Sequence, residues 1–311
     1  MPRPTAFPRS LEEFFLLAKE ADGCSPRTIE WLSGSLRDLR RFCAAHGFPT
    51  DLSQLRQEHI LAWLVNLRSR RGQRGQPLKQ NTLNDHWRAI RLFYNWAYET
   101  GKIDQNPCAG IKGPKPQKTL ISVFKEHHIR AMLYLCPPTI WWGARDRAMV
   151  LTLLLTGVRL QELAGLTLSS INFRERYIRV LGKGNKERKI YLDRRLAKAL
   201  LDWLMFRPKT DTDALWVSQD GKPLGTESIR SIIKRLGQRA RITDVRVSPH
   251  TFRHTFAINM LREGKDVRFL QAILGHSTLK STEIYVRTLD QEDALEWHKQ
   301  VEPFKGWHIA W

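Results

Sequence analysis

The chain has 311 residues, with 51 Lys and Arg against 31 Asp and Glu, for a net charge of +20. That length accommodates two ordinary domains, each able to bury its own core. The charge argues against an enzyme of small metabolites and for a polyanionic partner, since Lys and Arg release counterions from a phosphate backbone; a generally basic surface is the plainer alternative.

The opening stretch, MPRPTAFPRS, has no apolar signal core, and the longest apolar run, 149–155, is too short to span a bilayer. A soluble, cytoplasmic protein is expected. Ser10 can cap a first helix, LEEFFLLAKEA, and Ser25-Pro26 starts a second, in which Ile29, Leu32, Leu36, Leu39 and Cys43 form an apolar stripe. A third helix is predicted over 57–68. A fourth begins near Asn81, with Leu83, Trp87, Ile90, Tyr94 and Ala97 stepping by four and three up to Gly101. Between these two helices, RSRRGQRGQPLK carries Arg68, Arg70, Arg71, Arg74 and Lys79. It reads equally well as a solvated loop or as a loop that binds DNA phosphates.

The segment IDQNPCAGIKGPKPQK has three prolines, three lysines and two glycines with no apolar period, and reads as an interdomain strap. Its Lys112 and Lys115 would suit a DNA backbone. The predicted division is 9–106, a 107–119 linker, 120–301, and a 302–311 tail. The second domain opens with helices over 124–135 and 144–155. Strand, strand, tight turn and strand follow in INFRERYIRVLGKGNKERKIYL. Further helices are predicted over 193–206, 226–240, 252–263, 267–274 and 291–300. The fold class is therefore mainly α with a small antiparallel β-sheet. Cys24, Cys43, Cys108 and Cys136 lie far apart with no CxxC pair, as expected of reduced thiols.

Within this half, TGVRLQEL breaks one helix and starts another, which places Arg159 where a helix start would bind an anion; pairing with Glu162 is the bland alternative. GKGNKER is a hairpin turn with Lys183 near its tip and Lys186 beside it, and a solvated turn would look the same. In HTFRHTFA, His250 and Arg253 lie three apart at a helix opening and share a face, while His254 is read as structural and pointing elsewhere. LGHSTLKSTEIY places His276 after a helix-ending glycine and Tyr285 nine residues later. By default Tyr285 would be a packed aromatic. Two arginines match phosphate oxygens, and a phenol needs a base or cation to become a nucleophile.

The order Arg159, Lys183, His250-x-x-Arg253, His276, Tyr285 resembles the tyrosine recombinase (phage integrase) family, and within it the Xer-type members. The likeness runs from about residue 9 to 300. It implies an N-terminal helical core-binding (SAM-like) domain and a C-terminal catalytic domain forming a C-shaped clamp on DNA. Tyr285 would attack a phosphodiester to give a 3′-phosphotyrosyl bond and a free 5′-hydroxyl. Arg159 and Arg253 would hold the non-bridging oxygens, joined by His276; Lys183 would protonate the leaving oxygen, and His250 would help take the phenol's proton. The resemblance implies no cofactor and no metal.

The implied partners are double-stranded DNA with an inverted-repeat core site and a homotetramer on two duplexes, which passes through a Holliday junction. A second recombinase or accessory factor is the further partner considered, the setting is the nucleoid, and no membrane is involved. LCPPTIWWGARD and the end EPFKGWHIAW depart from the family pattern. Trp297, Phe304, Trp307, Ile309 and Trp311 are too apolar for a free tail; folding back and docking on a neighbour are the two readings, with docking favoured. Two other functions stay open, a type IB topoisomerase and a DNA-binding regulator without chemistry.

Overall fold

The computed structural model describes residues 10–72, 75–115, 121–182, 186–276, 278–286 and 288–289. The chain divides into two compact units, 1–119 and 120–311. In the first, α1 (Leu11–Ala21), α2 (Pro26–Ala45), α3 (Gln57–Ser69) and α4 (Gln80–Glu99) enclose a single apolar core. Ser10 and Ser25 cap α1 and α2 by accepting the N–H groups of Glu13 and Thr28, each at 3.2 Å. The α4 stripe predicted from spacing is buried at every one of its positions, Leu83, Trp87, Ile90, Tyr94 and Ala97. Buried polar atoms find partners: the Tyr94 hydroxyl donates to Leu52 O at 2.9 Å and Trp63 Nε1 to Asp38 Oδ2 at 3.1 Å.

The proline-rich stretch, read as an interdomain strap, packs against the first unit along part of its length. Ile103 and Cys108 are buried in the first unit's core. Asn106 bonds Asn95, Gln57 Nε2 donates to Ala109 O, and Asn84 Nδ2 donates to Pro114 O. Gly113 lies so close to Trp87 that an added Cβ would meet the indole at 1.9 Å. Side-chain amides from α3 and α4 thus supply the backbone partners that this segment lacks as secondary structure.

The second unit is built on α6 (Trp141–Thr156), buried nearly all round. Against it pack α8 (Arg194–Phe206) and α10 (Pro249–Arg262), with α5 (Glu126–Tyr134), α7 (Leu160–Ala164) and α9 (Thr226–Arg239) completing the helical layer. Strands β1 (Ile171–Asn172), β2 (Tyr177–Leu181) and β3 (Glu187–Tyr191) form an antiparallel meander. Opposed residues share a face, so Ile178 with Ile190 and Val180 with Arg188 turn inward while Arg179 and Lys189 turn out. The mainly helical fold with a small sheet is as expected. Two further helices, α11 (Val267–Leu274) and α12 (Lys280–Val286), close the described part. Neither the 291–300 helix nor the aromatic tail falls among the described residues. No described helix is long and apolar enough to cross a membrane.

Candidate active site

Three helix ends meet in the second unit. Helix α6 stops at Gly157, which adopts a left-handed φ of 61°; a Cβ there would strike Phe256 at 2.5 Å. The chain then extends through Arg159, the residue before α7, whose N–H donates to Glu162 Oε2 at 2.8 Å. Helix α11 ends at Gly275, also left-handed, with φ 63°. Its terminal carbonyls carry the negative end of the helix and face the guanidinium groups.

Arg253, 3% exposed, donates to Gly157 O and Leu274 O, both at 2.7 Å. Arg159 donates to the same Leu274 O at 3.2 Å, to Gly275 O at 3.1 Å and to Glu162 Oε1 at 2.8 Å. The shared carbonyl fixes the two guanidinium groups side by side, Arg253 buried and Arg159 partly open to solvent. Burial and the charge of Arg159 lower the Arg253 pKa to about 10, which leaves it charged at neutral pH.

Tyr285 comes from the same chain. It lies on α12 and is 3% exposed, packed with Ile258, Leu261, Leu270 and Leu274. Burial pushes its phenol pKa up, while the charge of Arg253, a hydrogen bond from it, and the charge of Arg159 pull it back. The His276 ring lies nearly parallel to the Tyr285 ring, 6.3 Å between centroids, and its Nδ1 is 2.8 Å from Thr282 Oγ1. Burial and the nearby arginines depress the His276 pKa to about 4, so the ring is neutral at pH 7.

His254 corrects the sequence reading. Expected to point elsewhere, it lies one turn beyond His250 on α10, and its Nδ1 is 3.3 Å from the Tyr285 hydroxyl. An i, i+4 pair shares a helix face, so adjacency to Arg253 did not carry it away from the site. His250, to which the resemblance gives a share in taking the phenol's proton, is exposed in the first turn of α10. The buried part of its ring and the charges of Arg253, Arg230, Arg246 and Arg159 hold its pKa below the ordinary imidazole value.

A second feature missed from sequence is Arg188. Its Nε donates to Ile273 O at 2.7 Å, and its two terminal nitrogens bond Glu162 Oε1 and Oε2 at 3.0 and 2.7 Å. Burial alone would raise the Glu162 pKa; the hydrogen bonds from Arg188 and Arg159 outweigh it and bring the carboxyl to about 2. Glu162 is therefore a fixed anion between two cations. The signal was an arginine at an inward position of β3, where a period-two strand wants an apolar residue.

Lys183 and Arg74 fall outside the described residues. Lys186, Lys112, Lys115, Arg68, Arg71 and Lys79 are exposed. Arg70 is committed elsewhere, bonded to Asp38 at 2.5 Å and to Asn66 at 3.1 Å. Among the described residues no group of His, Cys, Asp and Glu side chains could hold a metal ion. The arrangement as a whole suits an anion with two free oxygens, presented to a buried phenol.

The profile of the phage integrase family matches residues 123–292, more than half of the chain. The chain belongs to that family, the tyrosine recombinases. It is 36% identical over 235 residues to tyrosine recombinase XerC of Haemophilus influenzae (strain PittEE), covering 73% of this chain and 77% of that protein. To tyrosine recombinase XerD of Halalkalibacterium halodurans it is 30% identical over 284 residues, covering 89% and 92%. The fold is shared with the XerH site-specific recombinase bound to palindromic difH substrate, at a TM-score of 0.73 and 18% identity, covering 94% of this chain and 84% of that one. A lambda integrase dimer bound to a COC′ core site has a TM-score of 0.68 at 15% identity, covering 86% and 94%. This tyrosine recombinase is thus an enzyme of the Xer type, and the comparisons favour neither the topoisomerase nor the regulator.

Proposed function

We propose that this recombinase exchanges DNA strands at a specific site through Tyr285. The observation that carries the proposal is a buried phenol flanked by two guanidinium groups of its own chain, Arg253 and Arg159. The oxygen of Tyr285 attacks the scissile phosphorus, forming a 3′-phosphotyrosyl bond as the bond to the 5′ oxygen breaks. Arg159 and Arg253 hold the two non-bridging oxygens and neutralise the charge that grows on them. His276 adds a neutral hydrogen bond, and Lys183 protonates the leaving oxygen. The phosphotyrosyl bond keeps the energy of the broken linkage, so a 5′-hydroxyl from a partner duplex reverses the step and exchanges the strand. His250, Arg230 and Arg246 are exposed, and the charges of both arginines act on the His250 ring. The backbone on either side of the cut runs there, and the exposed cations Arg68, Arg71, Lys79, Lys112, Lys115 and Lys186 hold further phosphates.

Two relatives of known structure are described as bound to DNA, one to a difH substrate and one to a core site. By that analogy the substrate is duplex DNA with an inverted-repeat core site, and the working form is a tetramer on two duplexes in the nucleoid, alone or with a second recombinase. The aromatic tail, Trp307 and Trp311 included, docks on a neighbouring subunit; truncation after Gln300 should abolish recombination while leaving binding to one site intact.

To test the function, a DNA site is selected from a random library with the Tyr285→Phe protein, then placed twice in one supercoiled plasmid. Recombinant products are expected with the unaltered protein. Relaxation of the supercoils without exchange would overturn the proposal in favour of a topoisomerase.

A further inference from the structure

We propose that His254 is the group that takes the proton from Tyr285 in cleavage and returns it in rejoining. The inference rests on the reading of Tyr285 as nucleophile. It goes beyond that reading by assigning the proton, which the family resemblance assigns to His250.

The contact comes first. His254 Nδ1 is 3.3 Å from the Tyr285 hydroxyl, at the long end of hydrogen-bond reach, as is common before a substrate tightens a site. The two rings are 5.5 Å apart and tilted. His250, one turn earlier on the same face, stands 6.3 Å from His254 between ring centroids and opens to solvent. Tyr285 is 3% exposed, so bulk water is poorly placed to accept its proton. A guanidinium cannot accept one. The imidazole of His254 is the acceptor in contact.

The protonation state agrees with the role. Burial, then the charges of His250 and Arg253, hold the His254 pKa down to about 4. The ring is therefore neutral at pH 7, and it acts through the tautomer with its hydrogen on Nε2. A weak base does not ionise a buried phenol unaided. As the oxygen bonds to phosphorus, however, its O–H bond weakens, and the phosphodiester brings negative charge between Arg159 and Arg253. That charge opposes the positive field on His254 and raises its basicity when it is needed.

The oxygen–phosphorus bond forms, the phenolic O–H breaks, and its proton moves to His254 Nδ1. The bond from phosphorus to the 5′ oxygen breaks, its electron pair stays on that oxygen, and Lys183 supplies a proton. In rejoining, the 5′ oxygen attacks, the phosphotyrosyl bond breaks, and imidazolium returns its proton to Tyr285.

The experiment uses the full chain and the selected site, carrying a nick that traps the cleaved strand. Single-turnover cleavage by His254→Gln should fall by about 100-fold or more, in the range of a lost general base. Its DNA affinity and melting temperature should match those of the unaltered protein. Placing 3,5-difluorotyrosine at position 285, a more acidic phenol, should recover at least tenfold in His254→Gln and leave a His250→Gln defect unrecovered. Cleavage by His254→Gln within threefold of the unaltered rate would overturn the proposal. So would a defect that the acidic phenol does not recover, and His254→Asn repeats the comparison if the glutamine variant melts early. Adduct formation by Tyr285→Phe would instead sink the nucleophile assignment.

Discussion

Glu162 and the two arginines around it show how a single carboxylate can hold a substrate-facing guanidinium in place. Its oxygens bind Arg188 on one side and Arg159 on the other, and Arg159 is the guanidinium open to an incoming phosphate. Removing one member of a buried, hydrogen-bonded pair leaves an uncompensated charge. Arg188→Ala should therefore cost roughly 3 kcal/mol in urea unfolding and slow cleavage, although Arg188 is a positioning residue. Cleavage at the unaltered rate would mean that Arg159 holds its place without this support. At this scale the sequence was informative wherever a residue type has few uses. Arg159, Arg253, His276 and Tyr285 were legible from their order and local patterns, and the structure brings these four together. His254 was missed because it was read by its neighbour in sequence and not by the 3.6-residue turn. Arg188 was missed because it was treated as part of a turn and not as the inward residue of a strand.

The helix ends decide where these side chains meet. Gly157 combines a left-handed backbone with the close approach of Phe256 and Leu274, and its carbonyl receives Arg253. Gly157→Ala should destabilise the protein by about 2–4 kcal/mol, the sum of backbone strain and overpacking, as read by urea unfolding. Less than 0.5 kcal/mol would show that the helix end can relax. Helix α12 is seven residues long, too short to persist without tertiary packing. Its hold comes from Tyr285, packed on Leu270, Leu274, Ile258 and Leu261, and from buried Thr282, which bonds His276. A segment this short carries no long apolar stripe, so its helix was not legible in the sequence. The stripes of α2 and α4 were. The proline-rich stretch was read from its composition as an interdomain strap; the partners that fix part of it, Gln57, Asn84 and Trp87, lie far away in sequence and were not legible.

At the level of the whole molecule, charge and pH give two further tests. His254 and His276 are held near pKa 4 in the folded chain, from an ordinary value of 6.5. The unfolded chain binds those protons first, so stability is complete above pH 6.5 and declines as pH falls toward 4. Glu162, depressed from 4.5 to about 2, adds a loss over that lower window. Thermal melts across pH 7 to 4 should show the decline, and His254→Gln should flatten it; equal slopes in the two proteins would contradict these environments. The basic loop offers the second test. Lys79→Ala, at an exposed position, should lower the salt dependence of DNA affinity by about one unit of slope. Arg70→Ala should cost stability instead, because its partner is Asp38.

The most direct measurement is the chemistry of the trapped adduct. The unaltered protein is reacted with nicked site DNA, digested with protease and nuclease, and the modified peptide is sequenced by mass spectrometry. A 3′-phosphonucleotide on Tyr285, absent from Tyr285→Phe, is the predicted result. A nucleotide on another side chain, or one joined through a 5′ phosphate, would contradict the account.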